Sequence, residues 1–161
     1  MIYAALAIFA ILIFALSAKA VTRDESKYDE LIMRKANKYT VAFPLLKAVV
    51  KVESDFNPQA RNPLDPSYGL AQITPALAYD YGLIYDYRSP TEEDIKTIMQ
   101  PENNIEVEAW NLKSLLSRLS FSGAVQAYNV GYTGFIRGRR NEDYYNKVMK
   151  YYEKYSKELS Q

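Results

Sequence analysis

The sequence contains neither cysteine nor histidine. Without cysteine there is no disulfide framework, no thiol nucleophile, no zinc–thiolate site and no lipid-modified N-terminal cysteine. Without histidine the commonest general base and the commonest metal ligand are missing as well. A Ser-His-Asp triad is therefore excluded, and any catalysis rests on carboxylates, hydroxyls, lysine or backbone dipoles. Neither a metal nor a cofactor is expected. An excess of one charge is lacking too: 20 basic and 19 acidic residues leave a net charge of +1. With no basic stripe, nucleic acid is not an expected partner. No run alternates with period two, so little or no sheet is expected.

What is present begins with an uninterrupted apolar stretch, "MIYAALAIFAILIFALSA", followed abruptly by Lys19, Arg23, Asp24 and Glu25. It is about long enough for a short membrane-spanning helix and longer than a usual signal core. Residues 18–20 have the small-x-small form of a cleavage site, but no lysine or arginine precedes the run to set its orientation. The expectation is a hydrophobic N-terminal helix over 1–20, either signal peptide or membrane anchor, then a polar linker over 21–26. The remainder, 27–161, has the length of one domain with its own core, placed outside the cytoplasm.

Helical patterns fill that remainder. Residues 28–39 form a charged amphipathic helix, and Pro44 opens a second that stops near Asp55. Residues 62–69, with two prolines and a glycine, read as loop. Thr74 and Pro75 read as cap and first position of a short helix closing near Gly82. Ser89 with Glu92 fits a capping box. A longer helix spans 102–119, a small-residue helix 122–131, and Asn141 caps a last helix with Tyr145, Val148, Tyr152 and Tyr155 on one face. The fold class expected is all-α with at most a minimal β element.

One carboxylate stands apart. On the helix from Pro44, Leu46, Val49, Val50 and Glu53 are separated by three, four and seven residues, so Glu53 shares the apolar side at the last turn. Position alone leaves two readings. Glu53 turns outward to solvent, as glutamates near helix ends usually do, or it is partly buried. Burial and the negative end of the helix would then both raise its pKa and suit it to general-acid work.

Around it, Glu53-Ser54, "GLAQ" at 69–72, "NNIEVEAWNLKSLL" at 103–116 and "AYN" at 127–129 follow in order. This constellation resembles the soluble-type lytic transglycosylases and their relatives, the goose-type lysozymes, over roughly residues 36–155. The resemblance implies a lysozyme-like helical domain that binds peptidoglycan glycan strands. Glu53 would be the single acid/base that cleaves the MurNAc-β-1,4-GlcNAc bond and closes a 1,6-anhydro ring. It implies that Ser54 and Gln72 hydrogen-bond the sugar, that Gly69 permits close backbone approach, and that Leu70 and Ala71 line the wall. Tyr128 would orient Glu53, Asn129 would bind substrate or brace a loop, and Tyr144 resembles another tyrosine near the glutamate. Read without the family, Ser54 is equally a helix-end cap, Gln72 an exposed loop amide and Tyr144 a core residue.

The chain departs from the family at Ala71, where methionine is common, and at "NPLDPSYG" before the Gly-Leu pair. Asp55 is nearly opposite Glu53 around its helix, and Asp65 lies in the loop before Gly69; neither is a convincing second carboxylate. Tyr68, Tyr79, Tyr81, Tyr85 and Tyr87 are candidates to stack on sugar rings, and "RGRR" at 137–140 to meet anionic groups or simply solvent. The alternatives are a hydrolytic lysozyme-like muramidase and a non-catalytic wall-binding scaffold. Export to the cell envelope is expected, on the periplasmic side of the inner membrane. If the chain is phage-encoded, a virion-associated position is expected instead, with recruitment to a larger assembly in either setting.

Overall fold

The computed structural model describes residues 23–161. The apolar run over 1–20, with the signal or anchor reading attached to it, lies outside the described residues. Among the described residues no helix is long and apolar enough to cross a membrane. Eight helices and one minimal hairpin make up the described part. In chain order they are α1 (Asp29–Tyr39), α2 (Phe43–Ser54), β1 (Arg61–Asn62), β2 (Ser67–Tyr68), α3 (Pro75–Tyr81), α4 (Glu92–Met99), α5 (Pro101–Leu116), α6 (Phe121–Val130), α7 (Tyr132–Ile136) and α8 (Glu142–Leu159).

Local chemistry sets most boundaries. Thr74 accepts a hydrogen bond from the Leu77 amide, Pro75 takes the first turn, and Gly82 closes α3 in the left-handed conformation. Asn141 caps α8 by accepting from the Tyr144 amide at 2.9 Å. The box expected at Ser89 forms two residues later instead. Thr91 Oγ1 accepts from the Asp94 amide, and Asp94 Oδ2 accepts from the Thr91 amide. The later start puts Glu92, Glu93 and Asp94 together in the first turn, beside the positive end of the helix dipole. The segment expected as loop over 62–69 contains an antiparallel hairpin pairing Arg61 with Tyr68 and Asn62 with Ser67. Two residues per strand are too few to show an alternating pattern.

Helix α2 runs through the middle of the core: Leu45, Leu46, Ala48, Val49 and Val50 are wholly inaccessible to solvent. Its largest contact is with α8, through Tyr144, Val148 and Tyr155, with Tyr151 and Tyr152 half-buried beside them. Burial of such side chains stabilises by roughly 1.5–3 kcal/mol each, so this pair of helices is the rigid base of the domain. The described part of the linker is tied to the same base. Glu25 accepts from Lys51 on α2 and from Lys154 and Tyr155 on α8.

Candidate active site

Helix α2 ends one residue after Glu53. Asp55 and Phe56 then take consecutive left-handed conformations, φ 52° and 57°, which reverse the chain. Aspartate tolerates that region, but phenylalanine there is strained. The Phe56 ring is 2% exposed, and its burial offsets the cost. The reversal leaves Glu53 at the rim of the core, on the side shared with Val49 and Val50, and half-buried, the second of the two readings its position left open. Burial pushes its carboxyl from the ordinary 4.5 up to about 7, while a hydrogen bond from Tyr144 pulls the other way. The Tyr144 hydroxyl donates to Glu53 Oε1 at 2.6 Å.

The family resemblance implies Tyr128 for that contact. Its hydroxyl instead donates to the Ala71 carbonyl at 2.9 Å, tying α6 to the Gly69–Gln72 loop. The loop is held from below by Asn104 of α5. That side chain accepts from the Ala71 amide at 2.7 Å and donates to the carbonyls of Tyr68 and Ile98. Gly69, at φ 78°, is required by this amide, because an added Cβ would lie 2.6 Å from Asn104 Nδ2. The close approach at Gly69 is therefore made by the protein's own asparagine.

Several expected sugar contacts are engaged elsewhere. Ser54 Oγ donates to the Leu70 carbonyl at 2.7 Å and accepts from the Asn57 amide, so it joins α2 to the loop. Leu70 and Ala71 are wholly buried and line no wall. Gln72 accepts from Ser67 and donates to the Gly69 carbonyl, yet it also lines the main cavity, as do Tyr128 and Asn129. Asn129 Oδ1 accepts from Asn141 at 2.7 Å, bracing the start of α8.

The main cavity has a volume of about 1110 Å³ and runs between the hairpin, α3, α5, α6 and α7. Its aromatic lining is Trp110, Tyr128 and Tyr132. Of the expected stacking tyrosines, Tyr79 packs on Tyr87 with ring centroids 5.3 Å apart. Tyr81 meets Trp110 edge-on and bonds Glu106, Tyr68 lies against Arg61, and Tyr85 is 98% exposed. Asp65 and Arg139 also line the cavity, whereas Arg140 lies over the Phe135 ring. Glu53 opens into an adjoining recess of about 400 Å³ with Asn141, Asp143, Tyr144 and Lys147. Asn129 belongs to both walls, so recess and cavity adjoin at this residue, and the two hollows together are the groove.

Two features escaped sequence reasoning. Asp143, in the first turn of α8, brings a second carboxylate into the recess of Glu53. Glu108 of α5 is wholly buried, and neither carboxyl oxygen has a hydrogen-bond partner among the described residues. Burial pushes its pKa well up, and the neighbouring Glu53 adds to the shift. The alternation of acids in "EVEAW" hinted that one glutamate faces inward, but not which.

The family model for the transglycosylase SLT domain matches residues 30–151. The chain belongs to this family. Among solved structures it is similar to an inactive mutant of the lytic transglycosylase Slt from Pseudomonas aeruginosa, with a TM-score of 0.66 and 18% identity. That match covers 84% of this chain and 25% of the Slt chain, so the SLT domain described here spans about a quarter of its relative's length. The likeness establishes a shared helical fold.

Proposed function

We propose that the protein is a peptidoglycan lytic transglycosylase in which Glu53 acts alone as acid and then base. The observation that carries this reading is the half-buried carboxyl of Glu53, raised to about 7 and held by one tyrosine at the wall of a recess that adjoins the main cavity. A carboxyl of that pKa still carries its proton near neutrality and gives it up without a large barrier. Glu53 protonates the oxygen between MurNAc and GlcNAc as the C1–O bond breaks. The resulting carboxylate then takes the proton of the muramic C6 hydroxyl, whose oxygen bonds to C1. One C–O bond breaks, one forms, no water is consumed, and Glu53 ends protonated.

One observation favours hydrolysis, the Asp143 carboxylate lining the same recess, since two-carboxylate glycosidases use a second acid to activate water. Mass spectrometry of digested peptidoglycan separates the two, since the transglycosylase yields anhydro-muramic ends and the hydrolase reducing ends. The same digestion with Glu53→Gln tests the scaffold alternative, which requires biological activity to survive that change. The apolar run over residues 1–18 supports export to the envelope with membrane anchoring or cleavage, or a virion-associated position in a phage setting. Fractionation of cells expressing the full chain tests this, and a purely cytoplasmic protein would overturn it.

A further inference from the structure

Glu108 is a buried acid with no assigned task. It lies on α5 one turn after Asn104, the clamp of the Gly69–Gln72 loop, and three residues before Asn111, which lines the main cavity. Glu108 itself is wholly inaccessible and lines neither the cavity nor the recess. The ionisable groups that face it are Glu53 from α2, Tyr128 from α6 and Tyr144 from α8. None of these is a cation. Lys147, the cation that lines the recess, is there with Glu53 and Asp143. An ionised carboxylate sealed from water, without a hydrogen bond and without a cation, is too costly to persist, whereas the neutral acid is tolerated.

We propose that Glu108 is a positioning residue for Glu53: a permanently protonated carboxylic acid that fills the space beside it with uncharged matter. Each carboxylate makes the other harder to ionise, and Glu108 is sealed from water, so the pair loses one proton in the working range and Glu53, at the recess, is the one that loses it. Glu108 thus keeps water from the inner side of Glu53 and leaves the site a single titrating acid. The inference rests on the acid/base reading of Glu53, but the protonation of Glu108 is measurable without turnover.

The test compares wild type, Glu108→Gln and Glu108→Ala by carboxyl-carbon NMR titration, by the pH profile of peptidoglycan cleavage and by melting temperature against pH. Glutamine is a neutral stand-in, so the Glu53 titration and the alkaline limb of activity should stay in place, with turnover changed by less than about tenfold. Its melting temperature should gain on wild type as pH rises above the ordinary 4.5 of an unfolded glutamate, because a buried acid that resists ionisation has been removed. Alanine opens a polar space large enough for water, so the Glu53 titration should move down by about one unit towards the ordinary value.

A Gln variant that folds but loses turnover by more than tenfold would show that Glu108 gives up its proton and overturn the proposal. So would a Glu108 signal that titrates below Glu53, or a melting difference that is flat in pH. An unmoved Glu53 titration in the Ala variant would reduce Glu108 to packing. If wild type cleaves nothing, the acid/base reading fails while the titrations still decide the state of Glu108.

Discussion

Helix α5 carries two buried glutamates two residues apart, and the fold treats them in opposite ways. Separated by about 200° around the helix, Glu106 faces α1 and α3 while Glu108 faces the groove elements. Glu106 bonds Lys35 at 2.5 Å and Tyr81 at 3.0 Å, and also meets Lys38 and Tyr39. Burial pushes its pKa up, but these four donors outweigh it and hold the carboxyl at about 2. Glu108 has no donor and is driven upward. Burial alone does not decide the state of an acid; the partners supplied by neighbouring helices do. One side of α5 carries a fixed negative charge that joins helices, and the other side excludes charge around Glu53.

The largest expected effect breaks the charge-poor side. Glu53→Gln should lower cleavage by about three orders of magnitude, within the range of general acid–base catalysis, with circular dichroism unchanged. On the charge-rich side, Glu106→Ala leaves the half-buried Lys35 with Glu102 alone and takes away the carboxylate that the Tyr39 and Tyr81 hydroxyls share. It should cost about 3 kcal/mol in urea unfolding while the Glu53 pH profile stays in place.

The two sides also respond oppositely to pH. Glu106 is lowered from 4.5 to about 2, so its contribution is present above 4.5 and is lost as pH falls towards 2. Glu53 is raised from 4.5 to about 7, so its contribution is full below 4.5 and is lost as pH rises through 7. Melting curves across pH should therefore decline on both arms, with Glu53→Gln making the alkaline arm shallower beside the share of Glu108, and Glu106→Gln making the acid arm shallower beside the share of Glu25. Activity should fall as pH rises through about 7.

Tyr144→Phe removes the hydrogen bond that favours the Glu53 carboxylate. The alkaline limb should move to higher pH and turnover fall about tenfold, the equivalent of one such bond. Smallest is Ser54→Ala, which loosens the joint between α2 and Leu70 and should cost about 1 kcal/mol with turnover nearly unchanged. A large loss of substrate affinity there would restore a sugar contact for Ser54.

The sequence carried whatever depends on nearest neighbours along the chain. Periodicity placed the helices, the Thr74 and Asn141 caps lie where their side chains predict, and the spacing of Val49, Val50 and Glu53 put the acid on the apolar side. What was illegible depends on how distant helices meet. Tyr128 and Tyr144 are both tyrosines near the glutamate in the family pattern, and only the packing of α2 on α8 decides which reaches it. Glu106 and Glu108 look alike in "IEVEAW", because the lysines that separate them lie about seventy residues earlier. Ser54, Leu70 and Ala71 keep the chemistry of pocket residues but are consumed by the loop itself, which a resemblance of motifs cannot distinguish from contact with sugar.

The carboxylate of Glu25 gives the N-terminal arm a fixed address. It grips Lys51, two residues before Glu53, together with Lys154 and Tyr155 on the helix that supplies Tyr144. Glu25 is therefore held at a fixed point relative to the groove. A tether attached there would aim the groove as well as hold it, in the way a bracket sets the angle of a lamp.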